Sequence, residues 1–429
     1  MLTSSRIMLR ASTKAIGRCA SVPRRACPLV SSPSPRSSQP IHTVNGARAS
    51  GRVQASAVSE APVQKDEVIT GKPDCNVTES IFDRIGTDLH RKPDHPLGII
   101  KGVIYDFFEQ KHPGMFNTFD SLRPVVSAKA NFDEVLVPAD HVSRSYNDTY
   151  YVDSETVLRC HTSAHQAEML RNGETRFLVT GDVYRRDTVD ATHYPVFHQM
   201  EGVRVFTDEE IAAAGCSGAE LAEKDLKETL EQLATHLFGE CEMRWVDAYF
   251  PFTEPSFELE IFYQGEWLEV LGCGVMEQEI LDKNGREGSK AWAFGLGLER
   301  LAMVLFKIPD IRLFWSSDER FLSQFKAGDM STEFKPFSKY PPCFKDMAFW
   351  VSEDFTENNL CEIVRSVAGD IAEEVKLIDD FTNPKTGKRS NCYRIAYRSM
   401  ERSLTDEEIN ALQEEVRSQT AAKLGVELR

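Results

Sequence analysis

Apolar and polar positions along the chain change period several times, and each change marks an element. Ile99, Ile100, Val103, Ile104, Phe107 and Phe108 recur at helical spacing behind Pro96, so 96–110 reads as a helix with proline in its first turn. Short β-type runs follow at 116–119, 134–138, 149–152 and 156–160. Residues 161–170 read as helix, and Asn172-Gly173 is a turn signal. The β-formers of 177–185 make a strand that 197–206 answers across a loop at 186–196. Helical material spans 207–240, including 219–238, before strands at 243–250, 257–263 and 267–276. After a polar loop at 282–288, a strand at 291–294 runs through glycines into an apolar helix that ends near 306. This is helices around an antiparallel sheet, not the βαβα alternation of a doubly wound fold.

A second unit begins near 335, where Pro336, Pro341 and Pro342 punctuate the chain. Strand 345–351, helix 360–371, strands 374–381 and 391–397, helix 406–424 and a last strand at 426–428 spell βαββαβ, the ferredoxin-like arrangement. The whole reads as an α+β protein in three parts: 1–59, 60–334 with an N-terminal helical extension, and 335–429.

Charge separates the first part from the others. Residues 1–59 hold nine Lys or Arg, twelve Ser and no Asp or Glu, within a 429-residue chain of formal charge -16. They lack the continuous apolar run of a secretory signal, so their composition points to a transit peptide. The expected address is the mitochondrial matrix, the chloroplast stroma or both. The remaining body sums to -25, which by itself argues against a nucleic-acid partner. No run of apolar residues is long enough to span a bilayer. The cysteines after the leader are scattered without a CxxC pair, which excludes zinc-ribbon and thioredoxin readings.

Candidate chemistry concentrates between His161 and Arg300. His161, Ser163 and Gln166 stand at a strand-to-helix junction, where Ser163 alone would be an ordinary cap. Arg185 ends one strand, with Asp187 and His193 in the loop beyond. Gln199 and Glu201 alternate on the partner strand and therefore share a face suited to an ammonium or cation. Phe250 and Phe252 lie two apart on an extended segment and offer an aromatic slot, with Glu254 in a turn-like TEPS. Gly295 and Gly297 allow a ligand close to the backbone, and Arg300 follows where it could meet a polyphosphate. GxSxG and GxxxxGK[ST] are both missing, which removes the serine-hydrolase and P-loop readings.

Six segments in order resemble the class II aminoacyl-tRNA synthetases, and more narrowly the single-chain phenylalanine enzymes of organelles. They are HPLG (95–98), NFDEVLVPADH (131–141), HTS with Gln166, the 183–202 stretch ending FHQMEG, FPFTEPS (250–256) and WAFGLGLERL (292–301). The resemblance implies an antiparallel active-site sheet flanked by helices and a ferredoxin-like anticodon-binding tail. It implies L-phenylalanine, ATP with Mg2+, and tRNA(Phe) as substrates and partners, no membrane association, and a monomer. Arg185 would meet the α-phosphate and Arg300 the terminal phosphates, with Asp187, Gly295 and Gly297 around the nucleotide. His161, Ser163, Gln166, His193, Gln199, Glu201 and Glu254 would hold the amino acid. Phe250, Phe252 and Ala293 would shape the ring pocket. Metal ligands are not implied for any particular residue. Asp187 departs from the family's usual Glu, and Val142 from its usual Pro after Asp-His. The alternative is an inactive synthetase-like binding protein, which would typically have lost the arginines or pocket residues that this chain retains.

Overall fold

The computed structural model describes residues 62–337, 340–353 and 355–429; the transit peptide expected over 1–59 lies outside them. A seven-stranded sheet organises the first part. In spatial order its strands are Asn117–Phe119, Arg176–Tyr184, Val196–Phe206, Lys290–Gly297, Glu266–Met276, Thr253–Tyr263 and Glu242–Phe250. The first pair is parallel and all others are antiparallel.

Alternation along the strands gives the sheet two unlike faces. Leu178, Met200, Phe294, Cys273 and Leu259 point to the back, where helices Pro96–Lys111, Gly218–Phe238 and Leu298–Leu305 bury Ile100, Ile104, Phe108, Leu226, Leu230 and Leu301 against them. Pro96 starts the first of these helices behind the His95 cap, and Ser217 with Glu220 closes a capping box on the second. The front face carries Phe177, Val179, Val203, Val205, Ala291 and Ala293, packed by helices Gln166–Arg171 and Gln278–Lys283. Those helices cover only one end of the front face. The remainder is the candidate site.

The tail is the expected βαββαβ unit. Its strands lie in the order Ala372–Thr382, Arg389–Tyr397, Cys343–Trp350 and Glu427–Leu428. Helices Glu357–Ala368 and Asp406–Leu424 cover one face, with Met347, Phe349, Leu360, Val364, Tyr393, Ile395, Ile409 and Val416 between the layers. Among the described residues, core and tail belong to one compact unit. Helix Glu357–Ala368 packs on the loop between the Arg176–Tyr184 and Val196–Phe206 strands. Arg365 donates to the Asp187 carbonyl at 2.6 Å, Asn358 to the Arg186 carbonyl at 3.1 Å, and Tyr150 Oη to Glu362 at 2.7 Å. Asp370 accepts from both Arg84 and Tyr194 at 2.7 Å.

Two local expectations are corrected. Residues 134–138 are not a strand: Asp133–Val135 is a 3-10 turn, and Leu136 has φ 58°. Phe132, Val135 and Val137 alternate because the turn drops them into a small cluster with Tyr151, Val157 and Cys160. The TEPS segment is not the turn either. Pro251 and Phe252 form it, and Thr253 already pairs with Phe250 and Met276. No described helix is long and apolar enough to cross a membrane.

Candidate active site

Strand register builds the site. Directly opposed residues on adjacent strands share a face, so one row crosses the sheet as Val179, Glu201, Gly295, Gly272 and Glu258. Two glycines therefore separate two carboxylates. With strands about 4.8 Å apart, the Glu201 and Glu258 backbones stand about 14 Å from each other across a floor without side chains. The next row places Gln199 between Gly181 and Gly297. On the other side Ala293 lies between Val203 and Gly274.

The floor is glycine because other side chains lie across it. A Cβ on Gly295 would sit 2.8 Å from Gln199 Nε2, and one on Gly272 would sit 2.7 Å from Phe250 Cζ. Phe250 thus roofs Gly272, and its ring stacks with Phe252 at 5.9 Å and 10°. Phe252 reaches the pair from the Pro251-Phe252 turn, not from an extended strand. Ala293 is buried in the apolar cluster that Phe252 packs against.

At the Glu201 end the surroundings are polar but closed. Ser163, on the 3-10 turn Thr162–His165, donates to Glu201 Oε2, and buried Gln166 begins the following helix. Burial pushes the Glu201 carboxyl up to about 7, against the opposing influence of Ser163 and Gln166. Burial and the nearby Arg185 charge hold His161 down at about 3, so its ring is neutral. Four polar atoms here have no hydrogen-bond partner among the described residues: Glu201 Oε1, Gln166 Oε1, Gln199 Oε1 and His161 Nδ1. Native proteins seldom leave such groups unsatisfied, and a cluster of them fits a polar ligand.

Arg185 stands at the rim. Its Nε donates to the Cys160 carbonyl at 2.8 Å, and its guanidinium lies 5.2 Å from the Phe197 ring centre. Neither Nη of Arg185 donates to a described residue, which leaves its fork of donors for an anion. Arg300 is exposed on helix Leu298–Leu305 and has one long contact, 3.4 Å, to Glu269. His193 bonds Asp190 at 2.7 Å, and that hydrogen bond raises its pKa; the Arg300 charge opposes it.

Not every expected residue joins the trough. Glu254 is exposed at the start of its strand, and among the described residues no hydrogen bond holds its side chain. Asp187 caps Thr188 N at 2.7 Å, while its carbonyl lies under Arg365 of the tail.

These features have a counterpart in known proteins. A family model described as "tRNA synthetases class II core domain (F)" matches residues 89–325. The chain belongs to the class II tRNA synthetases. A model described as "Ferredoxin-fold anticodon binding domain" matches 338–429. The "Phenylalanine--tRNA ligase, chloroplastic/mitochondrial" of Arabidopsis thaliana is 64% identical over 369 residues, covering 86% of either chain. The "Phenylalanine--tRNA ligase, mitochondrial" of Dictyostelium discoideum is 50% identical over 404 residues, 82% of this chain and 89% of that one. That of Mus musculus is 49% identical over 386 residues, 82% and 86% respectively.

Several residues of this synthetase site escape sequence reasoning. Gly272 and Glu258 become site residues only through register. Buried Arg159 donates to the Asp182 carbonyl and to its carboxylate, both at 2.6 Å, and bonds His165 at 2.9 Å, which ties the Ser163 turn to the sheet. The one available signal was the LGCG spacing at 271–274, glycines two apart in a strand, which marks close approach of another group. Gly272→Ala should displace Phe250 and raise the KM for the amino acid about tenfold, a loss near 1.4 kcal/mol, with little change in thermal midpoint. Steady-state kinetics beside a melting curve checks it; an unchanged KM would contradict the roof assigned to Phe250.

Proposed function

We propose that this chain is a phenylalanine–tRNA ligase of organellar translation. The observation that carries the reading is the cluster of partnerless polar atoms around buried Glu201, set beside a stacked aromatic pair on a glycine floor. An amino acid with an apolar ring fits that arrangement. Its ammonium meets Glu201 and Gln199 with Ser163, Gln166 and neutral His161 around it, and its ring enters between Phe250, Phe252 and Ala293. Glu254 and His193 lie outside this contact set, with His193 facing the nucleotide side near Arg300.

The reaction follows from placement. The substrate carboxylate attacks the α-phosphorus of ATP, forming the adenylate and releasing pyrophosphate. Arg185 stabilises charge developing on the α-phosphoryl oxygens, and Arg300 holds the leaving phosphates. Phe250 and Gln199 cover Gly272 and Gly295, and open Gly297 lets the nucleotide approach the sheet, with Asp187 at its edge. The terminal ribose 2′-OH of tRNA then attacks the adenylate carbonyl and displaces AMP. No side chain needs to act as a dedicated base, because positioning supplies most of the rate.

The family implies Mg2+, and the chemistry of the donors fits it. Burial and the charges of Glu269 and Glu260 raise the Glu258 pKa, with Arg300 opposing; Arg300 contacts Glu269 and Arg244 pairs with Glu260, so three carboxylates at this end of the trough face two guanidinium groups. Glu258 and Glu269 would hold the ion with substrate phosphates completing its shell; when bound it neutralises phosphate charge. Among the described residues no group of three or more His, Cys, Asp or Glu could hold a metal by itself, which suits an ion shared with ATP.

The ferredoxin-like tail suits the anticodon end of tRNA(Phe), and the chain works as a monomer. Matrix or stroma follows from the acid-free composition of 1–59 and from the organellar names of its relatives. The three-part division at 59 and 334 belongs to the same proposal. The test is amino-acid-dependent exchange of pyrophosphate into ATP across the twenty amino acids. Phenylalanine should dominate and tyrosine give a weak signal, since an apolar slot excludes one added hydroxyl poorly. Dominance of any other amino acid would overturn the assignment.

A further inference from the structure

Arg300 is held by almost nothing of its own. It is exposed, its one ionic contact among the described residues is 3.4 Å long, and it sits in the first turn of an eight-residue helix whose N-cap, Gly297, supplies no side-chain bond. The residue before it is the opposite. Glu299 is 2% exposed and accepts twice from one residue of the neighbouring strand: from His198 N at 2.8 Å and from His198 Nδ1 at 2.7 Å. His198 is fully buried, with its ring between those of His90 at 5.1 Å and Trp315 at 5.9 Å. It immediately precedes Gln199.

We infer that Glu299 and His198 are a positioning pair that sets Arg300 at its distance from the bound nucleotide. The inference rests on the ligase reading above. Two adjacent couples, His198-Gln199 and Glu299-Arg300, place one buried partner and one site residue on each element. The buried bond therefore fixes the helix against the strand next to both site residues. Stability alone does not explain it, because an apolar pair of similar volume usually serves a buried position as well or better. Geometry explains it, since a shift of about 1 Å in a positioning group costs about 100-fold in rate. Neither residue touches substrate; both act through Arg300.

The experiment uses the full chain carrying His198→Phe and Glu299→Leu together, which removes both polar partners and keeps ring and volume. Expected are a thermal midpoint near wild type and a kcat/KM for ATP in pyrophosphate exchange lowered about 100-fold. Transfer from preformed adenylate to tRNA in a single turnover should stay within about threefold, because pyrophosphate has by then left Arg300. Glu299→Gln, which can still accept from His198 N, should recover most of the loss. Added to Arg300→Ala, the pair of substitutions should cost little more, as expected for groups acting as a unit. Unchanged exchange, an equal fall in transfer, or full additivity with Arg300→Ala would each overturn the positioning role. Should the double variant not fold, Glu299→Asp, one methylene shorter, is to show the same ATP-specific loss, and wild-type kinetics there would overturn the role. A wild-type chain without phenylalanine-dependent exchange would instead refute the ligase reading itself.

Discussion

Arg185→Ala is expected to lower phenylalanine-dependent pyrophosphate exchange by at least about 10³-fold while leaving the fold intact. The size follows from where the charge develops. Adenylate formation concentrates negative charge on the α-phosphoryl oxygens, and Arg185 brings a planar donor fork to the rim with neither Nη committed to the protein. The small cost to stability follows from the same fact. Arg185 is exposed and spends one bond on the Cys160 carbonyl and one cation–π contact on Phe197, together worth about 1–2 kcal/mol. Arg185→Lys should recover little, because a point charge does not reproduce a bidentate fork. Exchange kinetics with a melting curve checks both; wild-type exchange in the alanine variant would remove Arg185 from the chemistry.

The second large effect runs in two directions. Glu201→Gln should raise the KM for phenylalanine about 100-fold, since it deletes the charge that meets the ammonium, and should also stabilise the ligand-free protein at pH 8. The folded pKa, about 7, lies above the ordinary carboxylate value of 4.5. The native state therefore holds this proton more tightly, and the stability it contributes is complete below about 4.5 and lost as pH rises through about 7. By pH 8 the carboxylate costs up to about 3 kcal/mol, which glutamine does not incur. In the wild type, phenylalanine affinity should fall as pH drops below about 7, because protonated Glu201 no longer attracts an ammonium; the Gln variant should show no such slope. Melting curves and phenylalanine titrations at pH 5.5 and 8 test this. A variant less stable than wild type at pH 8 would contradict the burial assigned to Glu201.

Much of this architecture was legible along the chain. The tail could be read because each element is local, with helices at 3.6 spacing and strands bounded by turn residues, so βαββαβ needed no long-range pairing. Gln199 and Glu201 could be placed on one face because alternation within a strand is also local. Register between distant strands was not legible. Nothing near Gly272 indicates that it lies opposite Gly295 and Glu258, or that Phe250 roofs it. Arg159 and Glu299 read as ordinary charges of a strand and a helix, yet burial with specific partners makes them structural ties to the site. The 134–138 alternation misled because a 3-10 turn buries every second or third residue much as a strand does. Net charge misled about the partner: a body of -25 still carries an anticodon-binding fold.

The central claim is that this chain places phenylalanine on tRNA. Its direct measurement is aminoacylation of organellar tRNA by the purified chain with labelled phenylalanine and ATP, against the same tRNA with labelled tyrosine. Ester-linked phenylalanine should accumulate on tRNA(Phe) alone and vanish in Arg185→Ala. Pyrophosphate exchange without any charged tRNA, or charging of a tRNA other than tRNA(Phe), would contradict the account.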